Sequence, residues 1–292
     1  MAGSVNPISF LTQMVRIAVP YLFAASGGVV AERAGIVSLT LEGFMLSGAF
    51  AAVVGTSYSG SPWVGVLCGI LGGLIFSLIH AVATIRYRAD QVVVGVAINL
   101  LAIGVTRFFL KLFFASSSNS PRVAGLGGSG AAGFDNPLLW FGVLIAPLVA
   151  FVIYKTPFGL RVRAAGEHPD AAESVGVSVT RVRYVAVAIS GILAALGGVY
   201  LALDQHQFTD QMTAGRGFIA ISAVIFGRWD PVRAALACLL FAAAETLQIQ
   251  LQGSHAIASQ FIEMIPYALT IIALAGVVGR AVPPAALGRA EA

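Results

Sequence analysis

The sequence predicts an all-α fold, a polytopic bundle of transmembrane helices. Three observations carry that reading. Charge is scarce: of 292 residues, 58% are hydrophobic and only 10% charged, where a soluble domain carries roughly 25% charged residues. A large core cannot absorb the deficit, because a soluble protein still has a water-facing shell to cover. The apolar residues also come in runs of about 20, the length that crosses the hydrocarbon of a bilayer. Finally, most of the 17 Lys and Arg fall in the short gaps between those runs, where membrane proteins hold them.

In chain order the candidate spans are 13–30, 35–56, 63–85, 91–113, 138–154, 184–203, 215–227, 231–250 and 257–279. They predict about nine membrane passages in one transmembrane domain, 1–292. The segment 215–227 is short for a simple span and is read as a broken crossing. If the Arg-rich loop at 156–183 is cytoplasmic, counting spans places the N-terminus outside and the C-terminus inside. Residues 115–137, rich in Gly and Ser, then form an external loop. The inner loop 156–183 carries Arg on both flanks and acids in its middle. Pro169 suits a first helical position, with Asp170 and Glu173 in the first turn and Gly176 as a stop. A short amphipathic helix on the inner face is the physical reading, and a solvated connector is the plainer one.

Several function classes are excluded. The net charge of +4 is not gathered with aromatics into a nucleic-acid surface. Cys68 and Cys238 lie in apolar runs and read as small hydrophobes. There is no phosphate-binding G-x-x-x-x-G-K-[S/T], no metal-ligand cluster and no nucleophile elbow. No catalytic residue, metal or cofactor is expected, and if the protein moves a solute uphill, another chain or an ion gradient supplies the energy.

Polar groups inside spans are expensive and mark either a path or an interhelical fastening. Glu42 lies early in an apolar helix beside Gly43, after Ser38 and Thr40. It reads as a pathway residue or as a packing clamp. Gln91, Asn99 and Ser222 could line a path for an uncharged, hydroxyl-rich solute, or simply bridge helices. Two Gly-interrupted stretches, 32–48 and 215–227, each adjoin an Arg. They are candidate partners in an inverted repeat, the setting in which transporters place broken helices. Phe218, in the second stretch, completes the pathway candidates.

Five stretches, in order, resemble the membrane permeases of ABC importers for branched-chain amino acids, ribose and nucleosides. They are 31–50 (AERAGIVSLTLEGFMLSGAF), 90–109 (DQVVVGVAINLLAIGVTRFF), 156–176 (TPFGLRVRAAGEHPDAAESVG), 215–231 (GRGFIAISAVIFGRWDP) and 266–276 (PYALTIIALAG). Within the class the sequence is most similar to the shorter of the two paired permeases of nucleoside importers. The resemblance implies a multi-pass subunit of the bacterial inner membrane that moves a nucleoside or related sugar-containing solute inward. The alternatives are a branched-chain amino acid or simple-sugar permease, or a stand-alone secondary transporter. It also implies the partners: a second permease, two cytoplasmic ATP-binding subunits that hold the ATP, and an extracytoplasmic solute-binding protein. By position, the coupling helix for the ATPase falls on Gly166, Glu167, His168, Pro169, Asp170, Ala171 and Ala172, ending at Gly176. The family commonly has Asn where this chain has His168, and Asn and Gly at Ser38 and Thr40. The latter departures lie near the supposed path and weaken any choice of solute.

Overall fold

The computed structural model describes residues 7–127, 135–252 and 281–289. Ten α-helices follow in order among them: α1 Pro7–Arg33, α2 Leu41–Ser59, α3 Pro62–Ala81, α4 Gln91–Phe114, α5 Pro137–Lys155, α6 Pro157–Glu167, α7 Pro169–Ser174, α8 Val179–Asp204, α9 Arg216–Phe226 and α10 Pro231–Gln252. A π-helical turn, Val82–Arg86, extends α3. The one β feature among the described residues is an isolated antiparallel bridge between Asn119 and Thr209.

Local chemistry sets the boundaries. Helices α3, α5, α6 and α7 each begin with Pro, whose fixed φ suits the first position and whose missing N–H costs nothing there. The Asp90 side chain accepts hydrogen bonds from the N–H groups of Val92 and Val93, both at 2.9 Å, and so starts α4. Asn136 caps α5 through Leu138 N–H at 2.9 Å, and Thr156 caps α6 through Gly159 N–H at 3.2 Å. Each cap satisfies a donor that the first helical turn leaves free.

The expectation of about nine passages is not met. Six described helices have the length and apolarity to cross a membrane: Pro7–Arg33, Pro62–Arg86, Gln91–Phe114, Pro137–Lys155, Val179–Asp204 and Pro231–Gln252. The run 35–56 is not a span of the same kind. Residues 35–40 are non-helical, and the remainder forms α2, a 19-residue helix with Glu42 in its first turn. The run 215–227 is the 11-residue α9. At 1.5 Å per residue it covers about 16 Å, roughly half the hydrocarbon thickness. The run 257–279, with the 266–276 motif, lies outside the described residues. The orientation drawn from nine crossings loses its basis with the count. Residues 7–12 join the first span directly as part of α1.

Burial separates a centre from a rim. In α1 and α8, 78% of the apolar stretch is buried, against 28–39% in α3, α4, α5 and α10. The rim helices show rows of exposed apolar side chains, such as Leu67, Leu71 and Ile75 on α3 and Leu144, Leu148 and Phe151 on α5. Such rows belong against lipid. Helix α2 packs in the centre, and small residues let it close on α8. A Cβ on Gly198 would lie 1.9 Å from the Met45 carbonyl, and one on Gly48 would lie 2.6 Å from the Ala195 Cβ. Close backbone approach of this kind replaces the hydrophobic drive that lipid cannot supply.

Candidate functional site

Between α1 and α2 the chain is irregular over residues 34–40 and buried for most of that length. Exposed peptide groups inside a bilayer need partners, and side chains supply them. Val37 N–H donates to Gln91 Oε1 at 2.7 Å. Asn99 works twice: its Oδ1 accepts from Gly43 N–H at 2.8 Å, and its Nδ2 donates to the Leu39 carbonyl at 2.8 Å. Ser38 N–H donates to Glu32 Oε1 at 3.2 Å, and Ser38 Oγ donates to the Gly28 carbonyl at 3.3 Å. Arg183 Nε reaches the Ala34 carbonyl at 3.1 Å. Thr40 is buried at the start of α2. Five of the residues singled out in the sequence therefore gather here: Ser38, Thr40, Glu42, Gln91 and Asn99.

Glu42 joins this break to α9. Its Oε1 accepts from Thr213 Oγ1 at 2.6 Å and from Gly215 N–H at 2.9 Å. Its Oε2 accepts from Gly217 N–H at 2.7 Å. The carboxylate thus sits in the first turn of α2 and against the first turn of α9, at the positive ends of two helix dipoles. Burying an unpaired carboxylate would be costly. Here three donors and two dipoles offset that cost. Gly217 permits the approach, since a Cβ there would lie 2.4 Å from Glu42 N. The stretches 32–48 and 215–227 accordingly meet at one side chain.

Two more carboxylates grip α9. Glu32 Oε2 accepts from Trp229 Nε1 at 2.5 Å, just beyond the C-terminus of the helix, and Arg33 Nε donates to the Trp229 carbonyl at 2.8 Å. Arg216 Nη2 bonds Glu245 Oε1 of α10 at 2.9 Å, and Tyr21 of α1 donates to the other oxygen of Glu245. A short helix that cannot span is so fastened at both ends to α1, α2 and α10. Thr213 and Trp229 carried no signal of these roles in the sequence. Glu32 did, as a carboxylate at the end of an apolar run, but its partner is nearly 200 positions away. Glu263, a further acidic residue in the apolar run 257–279, lies outside the described residues.

Phe218 and Ser222 differ from the other pathway candidates. Phe218 is 45% exposed on α9, and Ser222 Oγ bonds its carbonyl at 3.1 Å on a half-buried face. A cavity of about 560 Å³ opens elsewhere, between α2, α3 and α4, lined by Phe50, Tyr58, Val64, Cys68, Phe109 and Phe113. None of the pathway candidates lines it, and its walls are apolar.

Between α5 and α8 the chain folds as two short helices, α6 and α7, jointed at His168. Pro169 opens α7, and Gly176 closes it at φ +82° with its N–H on the Glu173 carbonyl at 2.9 Å. Gly166 and Ala172 are buried. Glu167, His168, Asp170, Ala171 and Gly176 are exposed. At the opposite end of the molecule, residues 118–123 pair with 206–210 through backbone bonds. Ser120 N–H donates to the Phe208 carbonyl at 2.9 Å, Val123 N–H to the His206 carbonyl at 2.8 Å, and Asp210 N–H to the Ser118 carbonyl at 2.8 Å.

Residues 10–274 match the family described as branched-chain amino acid transport system / permease component. The chain belongs to this permease family. The permease is 40% identical to the guanosine ABC transporter permease protein NupQ of Bacillus subtilis, over 93% of this chain and 92% of that one. It is 37% identical to the nucleoside ABC transporter permease protein NupC of Lactococcus lactis, over 97% of both chains. Each of these bacteria has a second permease protein, NupP and NupB, that matches at 23% identity. Among solved structures, an inward-facing metal-chelate type ABC transporter superposes with a TM-score of 0.51. That match covers 91% of the permease and 85% of the other chain, at 13% identity, and shows the shared fold alone.

Proposed function

We propose that this permease is the membrane subunit of an ATP-driven importer that carries nucleosides or related sugar-containing solutes across the bacterial cell membrane. The observation that carries this reading is the 40% identity, over nearly the whole length of both chains, to a guanosine permease protein. The described chain fits the role. Ser38, Gln91 and Asn99 spend their hydrogen bonds on the α1–α2 break, whereas Phe218 offers an exposed ring on α9. An aromatic face suits a nucleobase, which stacks with little regard for its hydrogen-bonding edge.

The reading calls for partners. A second, related permease completes the path, as the two permease proteins in each of the two bacteria suggest. Two cytoplasmic ATPase subunits seat on α6–α7, whose exposed Glu167, His168, Asp170 and Ala171 face away from the bundle. An extracytoplasmic receptor delivers solute. On this reading the ATP is bound by those ATPase subunits and not by this chain.

The test is reconstitution in proteoliposomes with the sister permease, ATPases and receptor. ATP-dependent uptake of labelled guanosine or adenosine, exceeding that of ribose and leucine, is expected. Uptake of leucine alone, or ion-driven uptake by this chain without ATPases, would overturn the reading.

A further inference from the structure

Residues 284–288 lie between two parts of the molecule that are remote in sequence. Ala286 N–H donates to the Gly166 carbonyl at 2.9 Å, and Ala285 N–H to Glu167 Oε2 at 3.3 Å, both at the end of α6. Two residues on, Gly288 N–H donates to the Gly35 carbonyl at 3.1 Å, in the α1–α2 break. Pro284 and Ala286 are buried. The segment is held in its own turn by Leu287 N–H on the Pro284 carbonyl at 3.0 Å and Arg289 N–H on the Ala286 carbonyl at 3.1 Å.

We propose that this segment is a clasp that positions α6–α7 against the α1–α2 break, so that movement of α7 is delivered to Gly35. The proposal rests on the reading of α6–α7 as the ATPase seat. A segment that merely covered surface would bond one neighbour, but this one bonds both sides of the joint with backbone N–H groups only two residues apart. The remaining link is tight but narrow. A Cβ on Gly166 would lie 2.1 Å from the Arg33 carbonyl, and Arg33 Nη1 stands 3.8 Å from Glu167 Oε1. Gly35 adopts φ +94°, and a Cβ there would lie 3.2 Å from the Ala286 carbonyl and 3.1 Å from Arg183 Nη2. From Gly35 the chain continues to Ser38, held by Glu32, and then to Glu42 and α9. The clasp thus stands at one end of a route that follows the backbone of the α1–α2 break to Glu42 and crosses its hydrogen bonds to the α9 start. Clasp residues are positioning residues and touch no solute.

Gly288 has φ +77°, a conformation Asn tolerates and Val does not. In the complete reconstituted importer, Gly288→Val should lower solute moved per ATP hydrolysed by roughly tenfold, the size of a typical coupling free energy. ATP turnover should persist, and Gly288→Asn should restore the ratio. Ala285→Pro, which removes the N–H bonded to Glu167 at an exposed position of the clasp, should lower the ratio several-fold and serves if Gly288→Val fails to assemble. An unchanged ratio in Ala285→Pro, or in an assembled Gly288→Val, overturns the clasp. A ratio lost equally in Gly288→Asn also overturns it. Ala171→Trp, on the exposed side of α7, separates the two ideas. If it abolishes stimulated hydrolysis while clasp variants stay fully coupled, only the clasp is wrong. If it leaves hydrolysis unchanged, the ATPase seat is wrong and the clasp falls with it.

Discussion

Among the described residues, the irregular segments 34–40 and 205–215 lead into α2 and α9, and they are held in different ways. Residues 34–40, before α2, are fastened by side chains: Gln91, Asn99, Glu32 and Arg183 each satisfy a specific backbone group. Residues 205–215, before α9, are held by backbone pairing with residues 118–123 of an exposed loop together with side chains: Ser120 Oγ accepts from Phe208 N–H, Arg107 pairs with Asp210, and Glu42 takes Thr213 and Gly215. They also carry several residues at positive φ, His206, Gln211, Ala214 and Gly215. The first is a fixed node in the protein interior. The second is a strap whose hold depends on a loop that solvent and a partner can reach. Glu42 connects them, so whatever shifts the strap is felt at the node.

Breaking the connector should have the largest effect. Glu42→Ala strands Thr213 Oγ1 and the N–H groups of Gly215 and Gly217. Hydrogen bonds to charged groups are the stronger ones, and membrane measurements fall below the aqueous values, so a stability loss of about 3 kcal/mol is expected. Thermal unfolding in detergent would register it, and ATP-driven uptake should drop to background. Asn99→Ala removes one acceptor and one donor from the fixed node, for a smaller loss of about 2 kcal/mol with uptake reduced but measurable. Ser120→Ala removes the hydroxyl that accepts from Phe208 N–H at 2.9 Å in the strap, where a loss of about 1 kcal/mol is expected. Should Ser120→Ala destabilise more than Asn99→Ala, the contrast between node and strap is reversed.

Hydropathy revealed what it could. Six apolar runs became six helices of spanning length because lipid-facing rows such as Leu144, Leu148 and Phe151 need no partner to be apolar. α7 was legible because Pro169 and Gly176 act locally. The breaks were legible only as Gly-interrupted stretches, 32–48 and 215–227, and not in their position. A run such as 35–56 averages Gly35, Ser38 and Thr40 with the apolar residues of α2, so the window sees one passage where the chain makes a non-helical segment and a helix. Glu42, Gln91 and Asn99 were recognised as costly inside a span, but not what they hold, since Gln91 and Asn99 bond backbone groups and backbone has no sequence signature. Thr213, Trp229 and Ala286 acquire meaning only from partners more than 100 positions away.

The tie between α2 and α9 is most directly tested by a double-mutant cycle on Glu42→Ala and Thr213→Val, read by unfolding free energy of the assembled permease. Residues in direct contact share a coupling energy that distant residues lack. A coupling of about 1 kcal/mol or more is expected, with the double variant little worse than Glu42→Ala alone. Strict additivity of the two losses would contradict the tie.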